Sequence, residues 1–132
     1  MRRPASPLLR SAIEQLHTNY PEDSEAAVFS ALSLIATESP RDPTFSDRRK
    51  AGDILEAVLA KNPEHPGIAH YIIHAYDKPT LASHALVAAR NTLRLRRRRH
   101  IPSHIFIQVG SWQEAIDSNL ASVRVARGYS VA

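Results

Sequence analysis

The stretch that best predicts the fold is His65-Pro-Gly-Ile-Ala-His-Tyr-Ile-Ile-His-Ala-Tyr-Asp77. Its proline suits the first position of a helix, where the missing N–H has no partner to lose. Residues four apart lie one turn apart on the same side of a helix, and a residue seven apart continues the line. His70, His74 and Asp77 follow this spacing. The stretch therefore predicts a short helix with one polar stripe that carries two histidines and a carboxylate.

Amphipathic spacing, interrupted by prolines and glycines, predicts six further helices and no strand in the remainder of the chain. We place these helices at residues 7–19, 24–38, 46–61, 80–95, 102–109 and 111–126. The second of them is apolar over most of its circumference, which predicts a central position in the core. Trp112 and Phe106 are expected to pack as large core residues between helices. The fold class is therefore predicted to be all-α.

Capping residues mark several of the expected helix ends. Asp23 or Ser24 is expected to cap the second helix, because short polar side chains accept hydrogen bonds from the first free N–H groups. Ser46 or Asp47 is expected to cap the third helix for the same reason. Gly110 is expected to end the sixth helix, since glycine adopts the left-handed conformation that closes many helices.

Length and composition favour one packed domain, because 132 residues with 43% hydrophobic side chains suffice for a modest core. The chain has no cysteine, which excludes disulfides and thiolate sites and fits a reducing compartment such as the cytoplasm. No run approaches the roughly 20 apolar residues of a membrane span. The N-terminal residues lack the apolar segment of a signal peptide. We therefore expect a cytoplasmic protein without membrane contact.

The net charge of +4 is unevenly distributed along the chain. Residues 1–85 carry 9 Lys and Arg against 11 Asp and Glu, whereas residues 86–132 carry 8 against 2. Much of the excess comes from the consecutive residues Arg96, Arg97, Arg98 and Arg99. Such a block favours an acidic partner, although cations are also typical of a solvated helix end. Without interleaved aromatic residues or a known motif, a nucleic acid is not the expected partner.

Small residues recur in the second helix of each predicted helical pair. They are Ala51, Ala85 and Ala115, at intervals of 34 and 30 residues. A small residue lets two helices pack closely, and self-similarity at this period is typical of helical-repeat proteins. By the same register, His70 and His74 are equivalent to His100 and His104.

Several sequence segments resemble those of a known protein family. The segment Gly110-Ser-Trp-Gln-Glu-Ala-Ile-Asp117 resembles the turn between the two helices of a tetratricopeptide repeat. His65-Pro-Gly, the segment 70–77 and His100-Ile-Pro-Ser-His-Ile-Phe106 together resemble a bacterial family of tetratricopeptide-like proteins of uncharacterised role. The resemblance covers roughly residues 8–124. The sequence departs from the family pattern between Ala85 and Ala115, where the interval is 30 residues rather than 34, and the arginine run occupies this shortened connection. It carries no settled activity.

The resemblance implies a right-handed α-α superhelix of about three helical hairpins plus an N-terminal helix. Residues 1–132 would form a single repeat domain, or a fragment of a longer array, since family members are usually longer. An array without a terminal cap exposes apolar faces, which favours self-association.

In tetratricopeptide arrays the first helices line a concave groove, so the resemblance implies a histidine-lined groove for a protein or peptide partner. The residues expected to contact that partner are His70, Tyr71, His74, Tyr76, Asp77, His104, Arg96, Arg97, Arg98 and Arg99. The arginines would favour an acidic partner. We expect a binding module rather than an enzyme, because the sequence offers no evident general base and no nucleophile motif.

The alternative function is a metal site, with or without catalysis. The candidate ligands are His70, His74, Asp77, His100 and His104, whose nitrogen and oxygen atoms suit zinc or iron. Two features count against a metal. Tyr71 replaces the glutamate of an H-E-x-x-H motif, and the arginine run repels cations. Histidines that hydrogen-bond within a helix interface are the simpler explanation.

Overall fold

A computed structural model describes residues 7–65, 67–94 and 102–129, with the side chains of all but residues 91–94, 125, 128 and 129. All regular structure in these ranges is helical, which confirms the predicted all-α class. The helices are α1 (Pro7–Asn19), α2 (Ser24–Ala36), α3 (Ser46–Lys61), α4 (Ile68–Ala75), α5 (Leu86–Arg94), α6 (Pro102–Gln108) and α7 (Trp112–Tyr129). No helix in the described ranges is long and apolar enough to cross a membrane.

The chain divides into two compact units, Met1–Ala75 and Tyr76–Ala132. In the first unit α1 packs on α2, α2 on α3 and α3 on α4, and α2 also reaches α4. In the second unit a 3₁₀ turn packs on α5 and α6, α5 packs on α6, and α6 packs on α7. Within each unit, every helix therefore contacts the next helix along the chain.

The central helix of the first unit is α2, as its apolar circumference predicted. It buries seven residues, including Val28 and Leu34, and it contacts three other helices. Asp23 is its N-cap, and the carboxylate accepts hydrogen bonds from the backbone N–H groups of Glu25 at 2.9 Å and Ala26 at 3.2 Å. These bonds satisfy donors that the helix itself leaves unpaired.

The start of α3 differs from the sequence prediction. Neither Ser46 nor Asp47 is the N-cap, because Phe45 occupies that position in the left-handed region with φ of 52°. Asp42 makes the contacts expected of a cap: its carboxylate accepts hydrogen bonds from the backbone N–H of Ser46 at 2.9 Å and from its hydroxyl at 2.5 Å. The carboxylate of Asp47 is instead bonded by the guanidinium of Arg10 at 2.8 and 2.9 Å.

The hydrogen bonds of Asp42 and Asp47 shift two pKa values, that of Asp42 itself and that of Arg10. Hydrogen bonds from the hydroxyl of Ser46, and then from that of Thr44, lower the pKa of Asp42 well below its ordinary value. The hydrogen bond to Asp47, with a smaller contribution from Glu14, raises the pKa of the Arg10 guanidinium.

The predicted helix 80–95 in the second unit is not one continuous α-helix. Its first turn is the 3₁₀ helix Ala82–Ala85, and α5 begins only at Leu86. Tight 3₁₀ turns are common at the N-terminus of α-helices. Both Ala82 and Ala85 are fully buried here, so the small side chains fill a crowded position.

The connection between α6 and α7 follows the prediction at Gly110, which has φ of 77°. The N–H of Ser111 donates to the carbonyl of Phe106 at 2.8 Å, and the N–H of Gly110 donates to that of Ile107 at 3.2 Å. This pair of bonds is the Schellman closure of a helix. Phe106 is fully buried as expected. The prediction for Trp112 was wrong, because α7 buries Ala115 and Ser118 and leaves Trp112 on another side of the helix.

Candidate functional site

The histidine face of α4 is separate from the face that packs. The helix buries Ile68, Ala69, Ile72, Ile73 and Ala75. The side chains left at least partly accessible are those of His70, Tyr71 and His74, which we call the histidine surface. Because the apolar residues repeat at three- and four-residue intervals, packing against α3 fixes which side of α4 carries the histidines.

His70 and His74 are in direct contact. Their Nε2 atoms lie 3.1 Å apart, and the two rings meet edge to face with centroids 4.6 Å apart and planes at 79°. At this distance one nitrogen donates an N–H to the lone pair of the other. Two nitrogens at this separation can also be ligands of one metal ion: with bonds of about 2.05 Å they subtend an angle of about 100°.

Tyr71 and His65 complete the surroundings of the pair at the start of α4. The ring of Tyr71 lies edge-on to His70 with centroids 5.6 Å apart. It also lies close over Gly67, where a Cβ would come within 3.2 Å of the tyrosine Cε2. The Nδ1 atom of His65 accepts a hydrogen bond from the N–H of Gly67 at 3.2 Å, and its Nε2 lies 3.1 Å from a carboxylate oxygen of Glu25.

Arg48 on α3 holds the other end of α4. Its guanidinium donates to the backbone carbonyl of His74 at 2.5 Å and forms a two-point ion pair with Glu38. A cation at the C-terminus of a helix is favoured by the exposed carbonyls there. Sequence reasoning missed this residue, because its partners lie 10 and 26 positions away and no local motif marks them.

The other predicted site residues of the second unit have other contacts. Tyr76 is buried, with 3% of its surface exposed, and its ring lies against His84 with centroids 5.2 Å apart. The prediction that Asp77 continues the polar stripe of α4 was wrong, because this helix ends at Ala75. The carboxylate of Asp77 accepts a hydrogen bond from the side-chain amide of Gln108 on α6. His104 is exposed on α6.

The basic segment is described only in part. Arg96, Arg97, Arg98, Arg99 and His100 lie outside the described residues. Arg90 precedes them in α5, and its guanidinium forms a two-point ion pair with Glu114 at 2.9 and 3.2 Å. This hydrogen-bonded pair raises the pKa of Arg90 and lowers that of Glu114.

The first unit also has a surface cavity of about 160 Å³, which sequence reasoning did not anticipate. Ala27, Ile54 and Val58 supply an apolar part of its lining, and His17 and Lys61 supply polar groups. The Nδ1 atom of His17 is buried without a hydrogen-bond partner among the described residues.

Within the described residues, no three His, Cys, Asp or Glu side chains are grouped so that they can hold one metal ion. The predicted five-residue ligand set therefore remains a prediction, and the part brought together is the pair on α4. No protein-family model matches the chain, and comparisons with curated proteins and with solved structures gave no match. The resemblance to tetratricopeptide-like proteins accordingly rests on the sequence phrases alone.

Proposed function

We propose that this protein is a helical-repeat module that binds a protein or peptide partner through the histidine surface of α4. The observation that carries the proposal is the division of α4 into two faces. One face is buried against neighbouring helices, and the other presents His70, Tyr71 and His74. Imidazole and phenol groups offer both flat apolar surface and hydrogen-bonding atoms, which is the combination that partner-binding surfaces use.

The repeat architecture is part of the proposal. Its support is that each helix of a unit packs on the next along the chain, as in stacked helical hairpins. The three recurring alanines of the predicted repeat, Ala51, Ala85 and Ala115, are all buried, as close helix packing requires. A tetratricopeptide-like superhelix is the arrangement that we propose from this pattern together with the sequence phrases.

The partner that fits best is an acidic or neutral peptide. Residues 86–132 carry 8 Lys and Arg against 2 Asp and Glu, so the chain attracts anionic segments over its C-terminal part. The imidazoles also offer N–H donors. A hydrogen bond from such a donor to a carboxylate is charge-assisted and therefore stronger than one to a neutral acceptor.

Selection of peptides from a displayed library tests this function. The protein as it stands is expected to enrich a common motif, and the variant His70→Ala/His74→Ala is expected to lose that enrichment. A matched control is Asp53→Ala/Glu56→Ala, which truncates two exposed residues of α3. Enrichment of the same motif by the histidine variant would rule out the histidine surface as the binding site.

A second function, metal binding, is favoured by one observation, the 3.1 Å separation of the two Nε2 atoms. The residues fit a divalent ion such as zinc or iron(II) with two imidazole ligands, and water would complete the coordination. The nearby guanidinium of Arg48 is paired with Glu38, which offsets its repulsion of a cation. When bound, the metal would supply a Lewis acid at the surface of α4.

Titration with Zn²⁺ distinguishes the two functions. A metal site predicts saturable binding of Zn²⁺ by chelator-treated protein, with loss of binding in His70→Ala/His74→Ala. Peptide capture that is unchanged by a chelator, together with no saturable Zn²⁺ binding, would leave the partner-binding function and remove the metal.

A further inference from the structure

The central helix of the first unit leaves the aromatic ring of Phe29 accessible to solvent. This residue lies on α2, which is largely buried, yet 55% of its surface is exposed. Glu25, Leu32 and Ala36 lie on the same side of the helix at intervals of three and four residues, and all three are at least partly accessible. We call these four residues the α2 row. A single exposed aromatic residue is ordinary, so its meaning depends on what lies beside it.

The α2 row lies beside the histidine surface, because α2 and α4 are joined near both ends. Near the start of both helices, a carboxylate oxygen of Glu25 lies 3.1 Å from the Nε2 atom of His65. Near the end of both, Arg48 binds the carboxylate of Glu38, which follows α2, and the backbone carbonyl of His74. Two helices that are joined start to start and end to end run in the same direction, and α2 and α4 are also in direct contact.

The accessible sides of α2 and α4 form one continuous surface. Both helices pack on α3 through their buried side chains, so the accessible side chains of both point away from α3. The rings of His65 and Tyr71 flank Gly67, where a Cβ would lie 3.4 and 3.2 Å from them. His65 therefore connects Glu25 of the α2 row to Tyr71 of the histidine surface.

The charges on this surface divide it into an apolar part on α2 and a polar part on α4. On α2, Phe29 offers a ring without hydrogen-bond donors, and the carboxylate of Glu25 one turn away repels an acidic group. On α4, the imidazoles of His70 and His74 offer N–H donors, which bind a carboxylate more strongly than a neutral acceptor. A uniformly acidic peptide therefore fits α4 but not α2. A peptide that places an apolar side chain beside its acidic residue fits both.

We propose that Phe29 contacts the same peptide partner as the histidine surface and binds a large apolar side chain next to the partner's acidic residue. Leucine, phenylalanine and tryptophan have enough apolar surface to cover the ring. This inference rests on the proposed function and adds a specificity to it, because the partner is then amphipathic rather than simply acidic. Aromatic side chains that become buried in this way carry a large share of the binding energy of an interface.

A double-mutant cycle with a library-selected peptide tests the contact. Phe29→Ala is expected to raise the dissociation constant of the peptide, measured by calorimetry, by about tenfold or more. Alanine at the apolar position of the peptide is expected to have the same effect on the unaltered chain. The two changes together should cost little more than either alone, because both remove one contact. Since the ring of Phe29 is exposed, the helical circular dichroism spectrum of the variant should be unchanged.

The matched control is Leu9→Ala on α1. Leu9 is 54% exposed, close to the 55% of Phe29, so the two variants remove similar amounts of accessible apolar surface. The control should leave the dissociation constant within about twofold of that of the unaltered chain. An equal loss of affinity in both variants would overturn the contact at Phe29.

The other outcomes separate this inference from the function on which it rests. Selected peptides without a large apolar residue would overturn the contact and leave the proposed function standing. So would a Phe29→Ala variant that binds as tightly as the unaltered chain while His70→Ala/His74→Ala loses binding, or losses in the cycle that simply add. A library that enriches no motif, or binding that survives both variants, would remove both. If a second copy of the chain covers Phe29 instead, sedimentation without peptide will show self-association that Phe29→Ala abolishes, which contradicts the proposal.

Discussion

The guanidinium of Arg48 on α3 donates a hydrogen bond to the backbone carbonyl of His74 at the end of α4. This contact links the candidate site to α3 and to the segment after the end of α2, because Arg48 is also ion-paired with Glu38. Three segments therefore meet at one side chain, whose partners lie 10 and 26 positions away in the sequence. The position of the histidine surface depends on that side chain as well as on the apolar packing of α4.

The first prediction concerns this link. Arg48→Met keeps an unbranched apolar stem but removes the guanidinium, so a carbonyl of α4 and the carboxylate of Glu38 lose a partner. We expect the free energy of unfolding in urea to fall by about 1–3 kcal/mol. The control Lys50→Met removes an exposed amine that lies 3.9 Å from Glu14, and its effect should stay within about 0.5 kcal/mol. Equal effects in both variants would contradict the linking role.

The second prediction concerns metal affinity. If the pair on α4 binds Zn²⁺, removing either His70 or His74 leaves one ligand, and we expect calorimetry to show affinity at least about tenfold lower for each single variant. The exposed His84 serves as a control, and His84→Asn should leave the affinity unchanged. Protons compete with the metal for imidazole nitrogens, so binding should weaken as the solution is acidified. Equal loss in His84→Asn would argue against a site on α4.

The third prediction concerns the turn between α6 and α7. Gly110 has φ of 77°, and a Cβ there would meet no other atom within 4 Å. The cost of a side chain is therefore conformational, and Gly110→Ala should lower the free energy of unfolding by about 1–2 kcal/mol. Gly110→Asn should cost less, because asparagine tolerates the left-handed region better. Equal losses for alanine and asparagine, measured by urea unfolding, would contradict a conformational origin.

The fourth prediction concerns acid titration at the start of α3. Asp42 has a lowered pKa in the folded state, so its contribution to stability is present above the unfolded value of 3.8 and disappears as the pH falls through the folded value. The carboxylate should stay ionised to a lower pH than an ordinary aspartate does, which the ¹³C shift of its side-chain carbon reports in a nuclear magnetic resonance titration. Replacing Ser46 by alanine removes the hydroxyl that contributes most and should move the titration to higher pH. A midpoint near the ordinary aspartate value in the unaltered chain would refute the capping contact.

Local sequence features predicted most of the helices well. The boundaries of α1 and α3 match the predicted ranges at both ends, and Asp23 and Gly110 have the capping roles that their residue types indicate. These features depend on neighbours within about one helical turn, where side-chain chemistry decides the backbone conformation.

Predictions from the sequence failed where a side chain's contacts or burial depend on residues beyond its own helical turn. Asp47 was a predicted cap of α3, but its carboxylate binds the guanidinium of Arg10, which lies 37 positions away on another helix. Trp112 is exposed although its hydrophobicity favours burial, since burial depends on which side of α7 meets α6. Gln108 was not anticipated, because its hydrogen bond reaches Asp77 from 31 positions away.

The site itself was predicted in part. The four-residue spacing placed His70 and His74 on one side of a helix, and their nitrogens do lie within 3.1 Å. Burial of Tyr76 and the hydrogen bond from Gln108 to Asp77 depend on tertiary contacts of the second unit, which helical spacing alone does not encode.

The most direct test of the partner-binding proposal is a nuclear magnetic resonance titration of the labelled protein with a library-selected peptide. We expect shift changes concentrated in the amides of α4 and the imidazoles of His70 and His74, and affinity at least about tenfold lower in His70→Ala/His74→Ala. Changes that instead surround the cavity at Ala27, Ile54 and Val58, with unaltered affinity in the histidine variant, would contradict the proposed site.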